Sequence, residues 1–447
     1  MTEKRSGRHR LRIESLDEEL CGVGELQSKG HSWALSVPGG VPGDLLDVEV
    51  QHYSPHSRRA WGKLVERLER SEHWREPPCA HAAPCRGRCG GCAGMHLSTQ
   101  LLAQHKVRML ETALQEQGLE APTKLELKSA GPRLGYRNRA NYVLEGSRLG
   151  SYAPRSHVFA DMDGCLIVRE VIRDCARLLQ ERLKPSSLPQ RIRYLGLCAS
   201  SELPGCALEL IFAEPPDAET LNAVCARLEV GQEGSPFLGL SYSMNQSDGN
   251  ALRVEQGTHC AGARSVFERF GDVLLERTNS SFSQVNSEVA AAMYSMATEW
   301  IDSSGLLWDL FCGIGAFGLC VGAKGRVFGA EWNEAALELA RRNAERLGVK
   351  ACFETWDLHQ SWPSWPPAEV VLVNPPRRGL ERHLLERLAA LPSALLYMSC
   401  NPLSFARDAR ILSENGRVMS RLATFDMMPQ TAHSELLAYF PASAPQP

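Results

Sequence analysis

The 447-residue chain lacks the features that would send it into or across a membrane. Its first dozen residues are basic, with Lys4, Arg5, Arg8, Arg10 and Arg12, but no apolar stretch follows them, so the sequence predicts no signal peptide. No apolar run approaches the ~20 residues that a spanning helix needs. Positive charge is not in excess either: 49 Lys+Arg against 52 Asp+Glu leave a net charge of −3. A nucleic-acid partner would have to be held by local patches rather than by a global field. The cysteines, 15 of them, are an odd number, which excludes a fully paired disulfide framework. A cytoplasmic protein is expected, whose clustered thiols serve a metal or catalysis.

What is present fits a soluble globular chain. At 43% hydrophobic and 23% charged it can build cores for about two to four domains. Three are expected, over residues 1–70, 71–280 and 281–447. The first reads as a small all-β module: the alternating run His31–Val37, a Pro/Gly turn over 38–43, then a strand from Leu45. Arg58, Arg59, Trp61, Lys63, Arg67 and Arg70 follow, a mixture suited to a phosphate backbone or to a solvated surface.

Cys79, Cys85, Cys89 and Cys92 then fall within a short stretch of small residues that cannot build a core. Thiolates so close need a compensating cation: an iron–sulfur cluster or a structural zinc. Cys85-x3-Cys89-x2-Cys92 also has the spacing of a radical cluster loop. Thr99–Gly118 has the pattern of an amphipathic helix ended by glycine. Arg133, Tyr136, Arg137, Asn138, Arg139 and Tyr142 interleave guanidinium and aromatic groups, which can pair phosphates and stack bases, or form an ordinary edge strand. Cys165 is either core or a distant fourth ligand. Residues 170–280 read as an α+β insert.

From about residue 285 strands and helices alternate, the pattern of an α/β, Rossmann-like sheet. Leu306–Asp309 leads into Gly313-x-Gly315-x-x-Gly318, and a second strand ends at Glu331. Such a turn lets the backbone approach a nucleotide, with the carboxylate on its ribose. That fits a nicotinamide dinucleotide. Asp309 before the turn and Asn374-Pro375-Pro376 at a later strand end favour S-adenosylmethionine instead. A further apolar strand, Leu395–Met398, ends on Ser399-Cys400-Asn401-Pro402, and a last one begins at Glu435.

Taken together, the stretches Asp309–Gly315, Val373–Gly379, Ser399–Pro402 and Phe425–Glu435 resemble the RNA uracil-5-methyltransferases of the TrmA/RumA type. The resemblance implies an N-terminal RNA-binding OB-like barrel (TRAM) and a C-terminal methyltransferase domain using S-adenosylmethionine. It implies Cys400 as the nucleophile at uracil C6 and Glu435 as the base at C5, with His433 nearby. Gln284, Phe311, Glu331 and Asn374 fall on cofactor-contact positions, and Asp357 on an adenine contact. The ribosomal members carry a [4Fe–4S] cluster, implying Cys79, Cys89, Cys92 and Cys165 as ligands, with Cys85 an extra thiol outside that pattern. The expected substrate is 23S rRNA, with the tRNA T-loop as the alternative, and the expected state is a monomer. Arg377 and Arg378 are candidate phosphate contacts beside a pocket that receives a flipped base. A more remote reading is an iron–sulfur RNA-binding protein without catalysis.

Overall fold

In the computed structural model, the alternation after residue 285 becomes a mixed eight-stranded sheet. Its strands are β1 (Leu127–Lys128), β2 (Leu306–Leu310), β3 (Arg326–Glu331), β4 (Lys350–Thr355), β5 (Val370–Val373), β6 (Ala394–Ser399), β7 (Arg421–Phe425) and β8 (Glu435–Phe440). Their order across the sheet is β4-β3-β2-β5-β6-β8-β7-β1. The five strands β2 to β6 are mutually parallel, and β8 inserts antiparallel between β6 and β7. The chain runs outward from β2 to β4, then returns and runs the other way through β5 and β6. The crevice of such a sheet opens where the direction reverses, at the carboxyl ends of β2 and β5.

The sequence explains why these segments are strands and helices. β2, β5 and β6 are buried along their whole length, as parallel strands covered on both faces must be. Helices α1 (Ser287–Trp300), α2 (Ala316–Val321), α3 (Glu334–Leu347), α4 (Arg382–Ala390) and α5 (Pro402–Glu414) connect or precede them. Asn286, Asn333 and Asn401 cap α1, α3 and α5 by accepting backbone N–H groups with their side chains. Pro402 starts α5 and Gly348, in the left-handed region, ends α3.

The structure describes residues 8–28, 30–84, 87–183, 192–246, 257–301, 305–322, 325–360 and 362–442. They divide into two units. The larger comprises Leu110–Ser151, Met162–Met427 and His433–Pro447. Besides the eight-stranded sheet it contains the strands Arg139–Glu145, Ile192–Ala199, Cys206–Phe212, Phe237–Met244 and Thr258–Gly262, side by side in that order. Helices Glu170–Leu183 and Ala218–Leu228 contribute to the apolar core beside them, which includes Ile172, Leu179, Leu195, Leu208, Phe212 and Leu228.

The smaller unit comprises Met1–Met109, Tyr152–Asp161 and Met428–Ala432. It holds a six-stranded sheet in the order Arg8–Arg12, Leu45–Ser54, Arg59–Glu69, His31–Val37, Gly22–Ser28, Ser15–Leu16. Leu11, Trp33, Leu35, Leu46 and Val48 form its core. The Pro/Gly turn closes on Asp44, whose fully buried carboxylate accepts from the Val41 and Ser71 amides, each at 2.8 Å, and pairs with Arg67. Arg67 therefore compensates a buried charge, and its guanidinium lies 5.5 Å from the Trp74 ring. That removes it from the surface mixture expected to meet phosphates.

The cysteine loop belongs to this smaller unit. It doubles back through Ala83 and Cys89, whose N–H donates to His81 O at 2.9 Å, and then forms a turn of 3-10 helix over Gly90–Cys92. Cys79, Cys89 and Cys92 are half-buried on it. Among the described residues no three Cys, His, Asp or Glu side chains stand together as a metal-holding group. Cys85 lies outside the described residues, and Cys165 belongs to the larger unit. No helix among the described residues is long and apolar enough to cross a membrane.

Candidate active site

The carboxyl edge of the sheet gathers five of the expected residues. β2 ends at Leu310 and hands on to Phe311, β3 ends on Glu331, β5 precedes Asn374, and β6 precedes Cys400. β8 runs the other way, so its first residue, Glu435, reaches the same edge. The register of β6 and β8 ends with Ser399 opposite Leu436, so Cys400 and Glu435 are the residues that adjoin the last pair of the ladder.

The glycine turn is held by two carboxylates. Asp309 is fully buried, and its Oδ2 accepts from the Gly318 amide at 2.8 Å. A Cβ on Gly318 would stand 2.7 Å from that oxygen, so the third glycine is required by close approach. Glu331 accepts from the Gly313 amide at 3.2 Å and from the Trp332 and Asn333 amides, tying the turn to the entry of α3. Phe311, a non-glycine residue, has φ of +63°. That strain is typical of a functional loop whose conformation the surroundings enforce.

A narrow cleft opens there, lined by Gln284, Tyr294, Asp309, Phe311, Phe317 and Asn374 among others. Asp309 Oδ1 is buried in its wall with no hydrogen-bond partner among the described residues. Burial pushes the Asp309 carboxyl up to about 7. An orphaned buried acceptor is costly unless a ligand supplies the donor. A cofactor with an ammonium or hydroxyl groups would do so, and S-adenosylmethionine has both. The residues present fit it.

Gln284 links this cleft to Glu435. Its side chain hydrogen-bonds the Glu435 carboxyl, and its Nε2 lies 3.7 Å from Met398 Sδ. Burial raises the Glu435 carboxyl to about 8, and the Gln284 bond only partly offsets this. Cys400 is half-buried, and its thiol is pushed up first by burial and then by the Glu435 charge, while Arg377 lowers it. Cys312 also lines the cleft, but burial drives its thiol well above the ordinary range, which makes it inert. His433 stands two residues before Glu435, half-buried.

The loop carrying Gln284 is positioned from below. Arg277 and Glu268 form a fully buried ion pair at 2.7 Å. Arg277 Nη1 donates to Asn138 Oδ1 and Ser283 Oγ, and Asn138 Nδ2 donates to Gln284 O at 3.0 Å. Arg139 donates to Ser281 O at 2.6 Å, and Arg133 pairs with Asp426 at 3.0 Å. Tyr136 and Tyr142 are buried. This corrects the expectation for residues 131–143: both tyrosines are too enclosed to stack bases, and Arg133 and Arg139 bond protein groups. The stretch is a scaffold for the loop that carries Gln284. Asp357 accepts from the His359 amide and the Gln360 side chain within its own turn. Tyr294 and Phe317, stacked at 5.6 Å in the cleft, were not anticipated. On helices of apolar composition such rings read as core, and the sequence carries no signal that separates the two.

Fold and site define a class: a Rossmann-like methyltransferase with a thiol and a buried carboxyl beside its cofactor cleft. A family model described as tRNA (Uracil-5-)-methyltransferase matches residues 366–440. An uncharacterized RNA methyltransferase of Thermosynechococcus vestitus is 29% identical, covering 97% of this chain and 98% of its own. A 23S rRNA (uracil(1939)-C(5))-methyltransferase, RlmD, of Chromohalobacter salexigens is also 29% identical, covering 98% and 90%. The solved structure of Pyrococcus abyssi tRNA (uracil-54, C5)-methyltransferase with S-adenosyl-L-homocysteine matches with a TM-score of 0.75 and 25% identity, over 96% of this chain and 99% of that one. The chain is similar to the RNA uracil-5-methyltransferases over nearly its whole length.

Proposed function

We propose that the chain transfers a methyl group from S-adenosylmethionine to C5 of a uridine in RNA. The observation that carries this is the closeness of Cys400 and Glu435 at the strand edge beside the cofactor cleft: they adjoin the last β6–β8 pair, and the Glu435 charge acts on the Cys400 thiol. Uracil C5 is a poor nucleophile, so both groups have work to do. The Cys400 thiolate adds to C6, and the electrons pushed to C5 allow it to accept the methyl. The Glu435 carboxylate then removes the C5 proton, the 5,6 double bond re-forms and the thiolate leaves. S-Adenosylmethionine supplies the electrophilic methyl when bound. Gln284, Phe311, Glu331 and Asn374 hold it, and Asp309 Oδ1 completes the wall.

We assign 23S rRNA as the substrate, supported by the relatives named as ribosomal enzymes. A second reading, the tRNA T-loop, is favoured by the family model and the archaeal structure. Mapping 5-methyluridine in a deletion strain decides between them. Loss from 23S rRNA alone is expected. Loss from tRNA alone would move the substrate, and unchanged modification in both RNAs would end the RNA-methylation reading.

The proposal extends to a cytoplasmic monomer whose first 70 residues form a TRAM-like RNA-binding barrel. It also includes a [4Fe–4S] cluster, supported by the spacing of Cys79, Cys89 and Cys92 and by Cys165, with no part in the methyl-transfer steps. Anaerobically purified protein should contain about four iron and four acid-labile sulfide per chain, the composition of that cluster. Zinc in place of iron would overturn this assignment.

A further inference from the structure

A second concavity, about 650 Å³, lies between the loop after β5 and helix α5. Its lining includes Arg378, Arg382, Arg407 and Arg410 against Glu381 and Glu414. Four guanidiniums in one groove stand out on a chain whose net charge is −3. They are not equivalent. Arg407 is committed to the backbone oxygens of Arg378 and Leu380 and to Asp408, and so holds the groove wall. Arg382 and Arg410 are 63% and 53% exposed, and each pairs with a glutamate one turn along its own helix. Such pairs exchange readily for a stronger anion. Arg378 meets His359 at 3.2 Å.

The groove is tied to the nucleophile. Asn401 Nδ2 and Ser404 Oγ both donate to Arg377 O, at 3.1 and 3.0 Å. The loop carrying Arg378 is thereby fixed to the residue after Cys400. Arg410 lies eight residues into α5 from Pro402, about 12 Å at the rise of a helix. Arg378 lies on the loop after β5, Arg382 at the start of α4 and Arg410 on α5, all lining the one groove.

We propose that this groove binds the phosphodiester backbone of the RNA strand flanking the target uridine, through Arg378, Arg382 and Arg410. This rests on RNA being the substrate. Charge decides the occupant: the open groups are planar bidentate donors suited to phosphate oxygens. The groove reads no bases and contributes affinity that falls with salt.

The test is a double charge reversal, Arg382→Glu with Arg410→Glu, assayed on a uridine stem-loop RNA. Apparent KM for RNA should rise at least fivefold at physiological salt, while kcat and the KM for S-adenosylmethionine stay as in the native protein. The dependence of RNA binding on salt should lose about two units of log–log slope, one per phosphate contact. The Arg382→Gln, Arg410→Gln pair should show a smaller change in the same direction. Unchanged RNA affinity and slope in the folded reversal variant would overturn the proposal and turn the groove toward a protein partner. A native protein that binds the RNA with an arginine-dependent slope but transfers no methyl would instead overturn the uracil chemistry and leave the groove standing.

Discussion

Cys400→Ala should abolish the covalent complex that the native protein forms with 5-fluorouridine RNA and S-adenosylmethionine. Fluorine at C5 cannot leave as a cation, so the thiol adduct persists and survives a denaturing gel. Without the thiol there is no addition to C6, and C5 does not become nucleophilic. Methyl transfer should fall by about 10⁴-fold or more, on the order of 5 kcal/mol at about 1.4 kcal/mol per decade. Cofactor binding should survive, because Cys400 is not among the residues lining the cofactor cleft. Cys312→Ala is the contrasting variant: its thiol lines the cleft but is buried and pushed well up, so the adduct should form as before. An adduct in Cys400→Ala, or its loss in Cys312→Ala with the cleft intact, would move the nucleophile elsewhere.

Much of this edge is legible in the sequence because parallel strands announce their ends. An apolar run that stops at a polar residue marks a carboxyl terminus, and Glu331, Asn374 and Cys400 each stand at such a stop. Glu435 is harder, since it begins a strand. Only the antiparallel insertion of β8 beside β6 brings it to Cys400, and nothing local in its sequence states that direction. β4 escapes notice because Lys350-Ala-Cys-Phe-Glu-Thr355 is a short edge strand without an apolar run. The pairing of β1 with β7 joins residues nearly three hundred positions apart, beyond any periodicity. Residues 131–143 show the opposite failure. Arginines beside tyrosines look like an RNA surface until tertiary partners, Ser281 and Asp426 among them, enclose them. Composition reports which groups are present, while burial decides which face water.

Glu435→Gln should separate the two halves of the reaction. Addition and methylation need no base at C5, so the methylated RNA should accumulate as a covalent complex with the protein. Turnover should fall by ~10²–10⁴, the usual contribution of a positioned base. The native pH profile follows from burial. A carboxyl raised to about 8 is ionised in about one molecule in ten at pH 7, so multiple-turnover rates should climb as pH rises toward and through 8. The neutral form also suits the first half, because an ionised Glu435 is one of the charges that raise the Cys400 thiol. One negative charge at a time is the economical arrangement for two neighbouring acids at the adjoining ends of β6 and β8. Stability should move the other way. Between the ordinary 4.5 and about 8 the folded protein keeps Glu435 protonated while the unfolded chain ionises it. Its stabilising contribution is therefore full below 4.5 and is lost as pH rises through 8. Glu435→Gln removes this part of the slope, so its thermal midpoint should fall less than that of the native protein from pH 5 to 9. Normal turnover in Glu435→Gln would reassign the base, and His433, two residues away, is the group that would then have to be tested.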